Sequence, residues 1–70
     1  MSKWRASKAR RVLAALLRIG WTIAHTRGSH RILERDKWPP YSFSFHDNVE
    51  IGPGMLAKIA KATGLTPEDL

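Results

Sequence analysis

The chain has no cysteine, no long apolar run and no acidic side chain among its first 31 residues. Without cysteine, neither disulfide bonds nor thiolate metal ligands can hold the fold, so stability depends on packing within the chain or against a partner. The longest apolar run, residues 12–17, is far shorter than the roughly 20 residues that cross a bilayer, and no signal-peptide pattern precedes it. We therefore expect a cytoplasmic protein that does not enter a membrane.

The length of 70 residues limits the chain to one small domain. We expect this domain to occupy residues 1–70, with its core at about residues 7–65. A chain this short has no room for a deep cleft between two domains. Any site should therefore be shallow and built from few side chains.

Charge is distributed unevenly along the chain. Residues 1–31 hold eight Lys or Arg and no acid, whereas residues 32–70 hold four Lys or Arg against six Asp or Glu. The net charge of +6 is thus concentrated in the first half. Such a positive field attracts polyanions, of which nucleic acid is the commonest, although the same charges also suit an ordinary solvated helix face.

The first helix is predicted from Lys8 to about Ile19. Ser7 has the side chain of an N-cap, and Gly20 supplies a stop signal. Apolar residues recur at helical spacing and predict a core-facing stripe that consists of Ala9, Val12, Leu13, Leu16 and Leu17. This is the strongest secondary-structure signal in the chain.

Three strand-like segments follow. Trp21–Thr26 and His30–Arg35 are rich in β-branched and aromatic residues and predict a hairpin around Arg27-Gly28-Ser29. Residues 36–40 end in two prolines, which lack the N–H that a central strand needs, and predict a stiff connection. Tyr41–His46 then alternates strictly, which places its aromatic residues on one face and its serine and histidine residues on the other.

A second helix is predicted from Pro53, which suits a first helical turn, to the stop at Gly64. Its core-facing side consists of Leu56, Ile59, Ala60 and Thr63. Leu65 is expected to make a closing apolar contact. Residues 66–69 have the composition of a further helix start, and we expect this turn either to fray or to dock elsewhere.

The order α-β-β-β-α predicts an α+β fold, with a three-stranded antiparallel sheet and both helices packed on its aromatic face. The opposite face of the sheet is left open. This is the outline of a double-stranded-RNA-binding domain.

Five segments resemble, in order and spacing, the HicA toxins of bacterial and archaeal toxin-antitoxin systems. They are Ile19-Gly20-Trp21, Arg27-Gly28-Ser29-His30, His46, Gly54-Met55-Leu56 and Ala62-Thr63-Gly64-Leu65. The specificity lies in the ordered set, since Gly-Ser-His alone occurs by chance in many proteins. The resemblance covers most of the chain.

The resemblance implies a small endoribonuclease, an mRNA interferase, with a fold like that of double-stranded-RNA-binding domains. It also implies a HicB-type antitoxin partner, with the toxin monomeric alone and hetero-oligomeric in the complex. The family's functional histidine lies in Gly-Ser-His and maps here onto His30. No cofactor is implied.

The chemistry of metal-free RNA cleavage fits the residues around this histidine. His30 is our candidate general base or acid, since imidazole exchanges protons near neutral pH. Arg27, Arg31 and the turn amides of Gly28 and Ser29 are candidates for orienting the phosphate. His46 is a candidate second proton carrier. The sequence does not decide which face of the sheet carries His30. Two consecutive residues of the same strand, Ile32 and Leu33, are both apolar, so either of them could face the core.

The third histidine, His25, is most simply a surface residue. No metal site is predicted, because the histidines and scattered acids show no recognised ligand spacing.

Two other functions remain open. One is a non-catalytic RNA-binding module that uses the same basic face, and the other is an interaction protein whose cationic half docks an acidic partner.

Overall fold

The computed structural model describes residues 3–70. The elements run in the order β1 Ser7–Lys8, α1 Ala9–Arg18, β2 Thr22–Arg27, β3 His30–Glu34, β4 Tyr41–Phe43, β5 Glu50–Ile51, α2 Pro53–Thr63 and a final 3-10 turn, Pro67–Asp69. Strands β2, β3 and β4 form an antiparallel sheet in that order, while β1 and β5 pair separately. The predicted α+β fold is confirmed, and the short β1–β5 pair is an addition that the sequence did not suggest.

Helix α1 begins one residue later than predicted, and the capping role of Ser7 is wrong. The Ser7 hydroxyl donates instead to the Arg5 carbonyl at 3.0 Å. Two N–H groups of the first turn find backbone acceptors elsewhere, because Ala9 donates to the Val49 carbonyl at 2.8 Å and Arg10 to the Asp47 carbonyl at 3.1 Å. Carbonyls of a segment distant in sequence thus do the work of a side-chain cap.

The end of α1 follows the prediction. Gly20 takes a φ of 115°, and the Trp21 N–H reaches the Leu16 carbonyl at 3.1 Å, which is the bond pattern of a glycine-ended helix. The buried stripe consists of Ala9, Val12, Leu13, Ala15 and Leu16. The prediction for Leu17 is wrong, since this side chain is 40% exposed. The core meets the flank of the helix that carries Ala15 instead.

One face of the three-stranded sheet is the core face. Leu33 of β3 and Phe43 of β4 are fully buried there, and Tyr41 and Phe45 pack against them at the edge of the core. The predicted alternation is therefore confirmed from Tyr41 to Phe45, but not for His46. Strand β4 nevertheless ends at Phe43 rather than at His46. A turn follows, in which the Val49 N–H donates to the His46 carbonyl at 3.0 Å.

Both helices cover this core face. Leu16 of α1 and Leu56 and Ile59 of α2 belong to the same buried cluster as the core-facing strand residues. Helix α2 ends at Gly64, which takes the left-handed conformation at a φ of 77°, and Leu65 closes the core as predicted. The opposite face of the sheet has no part in this cluster.

The last turn of the chain docks rather than frays. Thr66 and Asp69 form a capping box, and the Arg18 guanidinium donates to the Asp69 carbonyl at 2.6 Å. The C-terminal turn is thereby joined to the end of α1.

The buried Trp21 indole N–H donates to the Thr63 carbonyl at 3.0 Å, which links the start of β2 to α2.

Candidate functional site

The turn between β2 and β3 contains two residues, Gly28 and Ser29, and Arg27 pairs with His30 across it. The predicted three-residue turn is therefore too long, since Arg27 belongs to β2. Gly28 has a φ of 62°, which is the position where a type II′ hairpin turn needs glycine. A Cβ there would meet nothing within 4 Å. The backbone conformation, and not lack of space, is what requires glycine.

Strand register places His30 on the open face of the sheet. Arg27 stands opposite His30, and His25 stands opposite Ile32, so all of these side chains share a face that alternates with the buried Leu33. His30 and Arg27 are exposed. The sequence did not decide which face carries His30. The burial of Leu33 in the core places His30 on the opposite, open face.

A shallow hollow of about 470 Å³ lies on this face, lined by His25, Arg27, His30 and Ile32. It brings two imidazoles and one guanidinium to a single depression. An imidazole can accept or donate a proton near neutral pH, and a guanidinium pairs with phosphate oxygens. The hollow therefore has the groups for acid–base chemistry on a phosphodiester.

His25 is exposed, as the sequence predicted, and it also lines the hollow that contains His30. With a two-residue turn, counting outward pairs position 27 with 30 and position 25 with 32. His25, Arg27 and His30 then fall on one face. A three-residue turn would give a different register, and the Gly28-Ser29 pair is the sequence signal for the two-residue turn.

Arg31 lies on the other side of the sheet from His30. It stands opposite Phe43, and its Nη2 atom is 3.3 Å from Asp47 Oδ1. Its Nη1 atom is buried without a hydrogen-bond partner. The predicted phosphate-orienting arginines are therefore divided between the two faces, with Arg27 beside His30 and Arg31 beside Asp47.

His46 lies in a second hollow of about 490 Å³, together with Gly28, Ser29 and Arg31. The structure brings His46 to the underside of the hairpin tip and to Arg31. It does not bring His46 into the hollow that contains His30. The turn residues line this second hollow and not the first.

Further tests of the site class concern metals and membranes. Across residues 3–70, no group of three His, Cys, Asp or Glu side chains is close enough to hold a metal ion. None of the helices in this part of the chain has the length and apolar character that a membrane crossing requires.

The fold and the open sheet face define a small α+β domain with the outline of a double-stranded-RNA-binding domain and a histidine-containing hairpin. A family model described as the HicA toxin of bacterial toxin-antitoxin systems matches residues 9–65. The chain belongs to this HicA toxin family, as its motifs indicated. A search of curated proteins gave no significant match. Membership makes the chain a toxin component, for which an antitoxin is the implied partner.

Proposed function

We propose that this toxin is an endoribonuclease that cleaves mRNA at the open face of the sheet, without a metal ion, and that His30 is its catalytic histidine. The observation that carries the proposal is the exposed His30 in one hollow with Arg27. An exposed imidazole beside a guanidinium, on a face that no helix of the core cluster covers, is accessible to a phosphodiester of RNA.

The reaction needs two proton transfers and one cationic contact. A base removes the ribose 2′-OH proton, the resulting oxygen attacks phosphorus, and an acid protonates the leaving 5′-oxygen. His30 would perform one of these transfers. Arg27 would face the non-bridging oxygens, where a bidentate guanidinium stabilises the charge that develops in the transition state.

Arg31 and the turn residues Gly28 and Ser29 remain candidates for binding RNA beyond the cleaved bond. Arg31 lines the hollow under the hairpin tip beside Asp47, and its guanidinium is a donor-rich cation. The turn residues Gly28 and Ser29 and the adjacent His46 line the same hollow. If the RNA strand passes around the hairpin tip, the phosphate of a neighbouring nucleotide would contact this surface.

The direct experiment is cleavage of RNA by the purified protein, with and without a chelator, compared with His30→Ala. We expect cleavage in the presence of chelator, and a loss of at least 10²-fold in His30→Ala with the circular dichroism spectrum unchanged. Thr26→Ala is a matched control, because Thr26 is exposed on the same hairpin but its side chain points to the other face. Cleavage by His30→Ala at the wild-type rate would refute the catalytic assignment.

The same variant separates catalysis from simple RNA binding. A non-catalytic RNA-binding module predicts salt-sensitive binding, no cleavage by either protein and no change in growth when His30 is replaced. The toxin reading predicts growth arrest on expression of the wild type and its loss in His30→Ala, with RNA affinity largely kept.

The antitoxin would most economically cover the open sheet face and direct acidic groups to Arg27. Arg27→Glu should then weaken the complex at least tenfold, since an exposed cation becomes a repelled anion. Arg31→Glu should weaken the complex less, because Arg31 lies on the other side of the sheet beside Asp47. Lys58→Glu, an exposed reversal on α2, is the control. Equal affinities for Arg27→Glu and Lys58→Glu would contradict this binding mode.

A further inference from the structure

Two imidazoles share the hollow on the open sheet face, and the assigned mechanism uses only one of them. His25 and His30 are diagonal neighbours on adjacent strands, because His25 pairs with Ile32 and His30 with Arg27. Diagonal positions on one face are about 7–8 Å apart at the backbone. Two side chains of this length, both lining one hollow, can contact the same phosphodiester from two sides.

The surroundings of the pair are basic and open. On β2 the nearest charged neighbour is Arg27, and on β3 it is Glu34, two positions beyond Ile32 on the same face. Strand β4 contributes the uncharged Ser42 opposite Ile32. The helices belong to the core cluster on the other face. Arg27 therefore lies beside both imidazoles in the hollow, whereas Glu34 lies farther along β3.

Cleavage of a ribose-phosphate bond fits such a pair. One imidazole accepts the 2′-OH proton as the O2′–phosphorus bond forms, and the other, protonated, gives its proton to O5′ as the phosphorus–O5′ bond breaks. The products are a 2′,3′-cyclic phosphate and a 5′-hydroxyl. The total number of protons on the pair is unchanged, so no cofactor or co-reactant is consumed.

We propose that His25 is the second proton carrier of this site and acts with His30 as an acid–base pair. The inference rests on the proposed endoribonuclease function and deepens it. It departs from the sequence-based expectation for His46, whose side chain lines the hollow under the hairpin tip with Arg31.

The experiment is the pH dependence of kcat on a short RNA for wild type, His25→Gln and His30→Gln. The wild type should give a bell-shaped profile, and each variant should lose one limb of it, the two variants losing opposite limbs. His25→Gln should lower kcat by about 10²- to 10⁴-fold with little change in KM. Thr26→Gln, one residue along β2 with its side chain on the other face, is the control for the glutamine itself.

A second substrate assigns the acid. An RNA whose scissile 5′-oxygen is replaced by sulfur has a leaving group that needs no protonation, so it should restore the rate of the variant that lacks the acid and not that of the other. A bell-shaped pH profile in His25→Gln, with kcat at the wild-type value, overturns the proposal. So does a limb lost in His46→Gln but kept in His25→Gln.

The two levels of inference fail differently. Absence of RNA cleavage by the wild type, or full activity of His30→Gln, removes the proposed function and the pair with it. Cleavage that depends on His30 but is indifferent to His25 leaves the proposed function standing and removes only the pair.

Discussion

The two faces of the three-stranded sheet differ in the burial and in the chemistry of their side chains. On the core face, Leu33 and Phe43 are fully buried under both helices. On the open face, β2 and β3 present His25, Arg27 and His30 to solvent. Because side chains alternate along a strand, neighbouring residues of β3 serve stability and chemistry separately. The faces can therefore be perturbed one at a time.

The largest effect on stability is expected on the core face. Leu33→Ala should lower the free energy of unfolding by about 2–5 kcal/mol, because a buried side chain leaves both lost apolar contact and a cavity. Its neighbour Ile32, half-buried on the open face, gives up less apolar area, and Ile32→Ala should cost no more than about half as much. Urea unfolding followed by tryptophan fluorescence measures both.

Equal costs for these two substitutions would mean that the open face is packed as tightly as the core face. In that case the hollow around His30 would not be accessible to RNA. RNA cleavage provides the reverse comparison, since Ile32 lines the hollow and Leu33 does not.

The sequence was most informative where signals are local. Helix α2 was predicted with its observed limits because Pro53 and Gly64 mark both ends. The core face of β4 was predicted because Tyr41, Phe43 and Phe45 alternate with polar residues. In these cases a few neighbouring residues determine the conformation.

The sequence was least informative where distant segments meet. The cap of α1 comes from the carbonyls of Asp47 and Val49, so the presence of Ser7 was misleading. The β1–β5 pair has two residues on each side, which is too short for any periodicity. The site shows the same limit, since the face of His30 depends on which of Ile32 and Leu33 enters the core, and the role of His25 depends on turn length.

An intermediate effect is expected at the hairpin tip, where the open face depends on one backbone angle. Gly28→Ala should lower the free energy of unfolding by about 1–2 kcal/mol, because alanine resists the φ of 62°, although nothing obstructs its Cβ. Gly28→Asn should cost less, since asparagine tolerates positive φ. RNA cleavage should fall with stability, because the Arg27–His30 pair closes this turn.

Gly54 in α2 is the matched control for Gly28. A Cβ there also meets nothing within 4 Å, and its φ is not in the left-handed region. Gly54→Ala should leave stability unchanged or raise it by about 0.5 kcal/mol, since alanine favours helix over glycine. Equal destabilisation at both glycines would show that the turn conformation is not what Gly28 supplies.

The smallest effect concerns Tyr41, whose phenol ring lies at the edge of the core face. Burial raises the pKa of the Tyr41 phenol above its ordinary value of 10.0, because the charged form is desolvated. The unfolded chain therefore loses this proton at lower pH than the folded chain does. The associated stability is fully present below about pH 10 and is lost as pH rises through the folded-state pKa. Between pH 9 and 11, the free energy of unfolding should fall more steeply for the wild type than for Tyr41→Phe. Equal pH dependence of the free energy of unfolding in the two proteins would mean that the Tyr41 phenol is solvated. The core face would then not extend to this residue of β4.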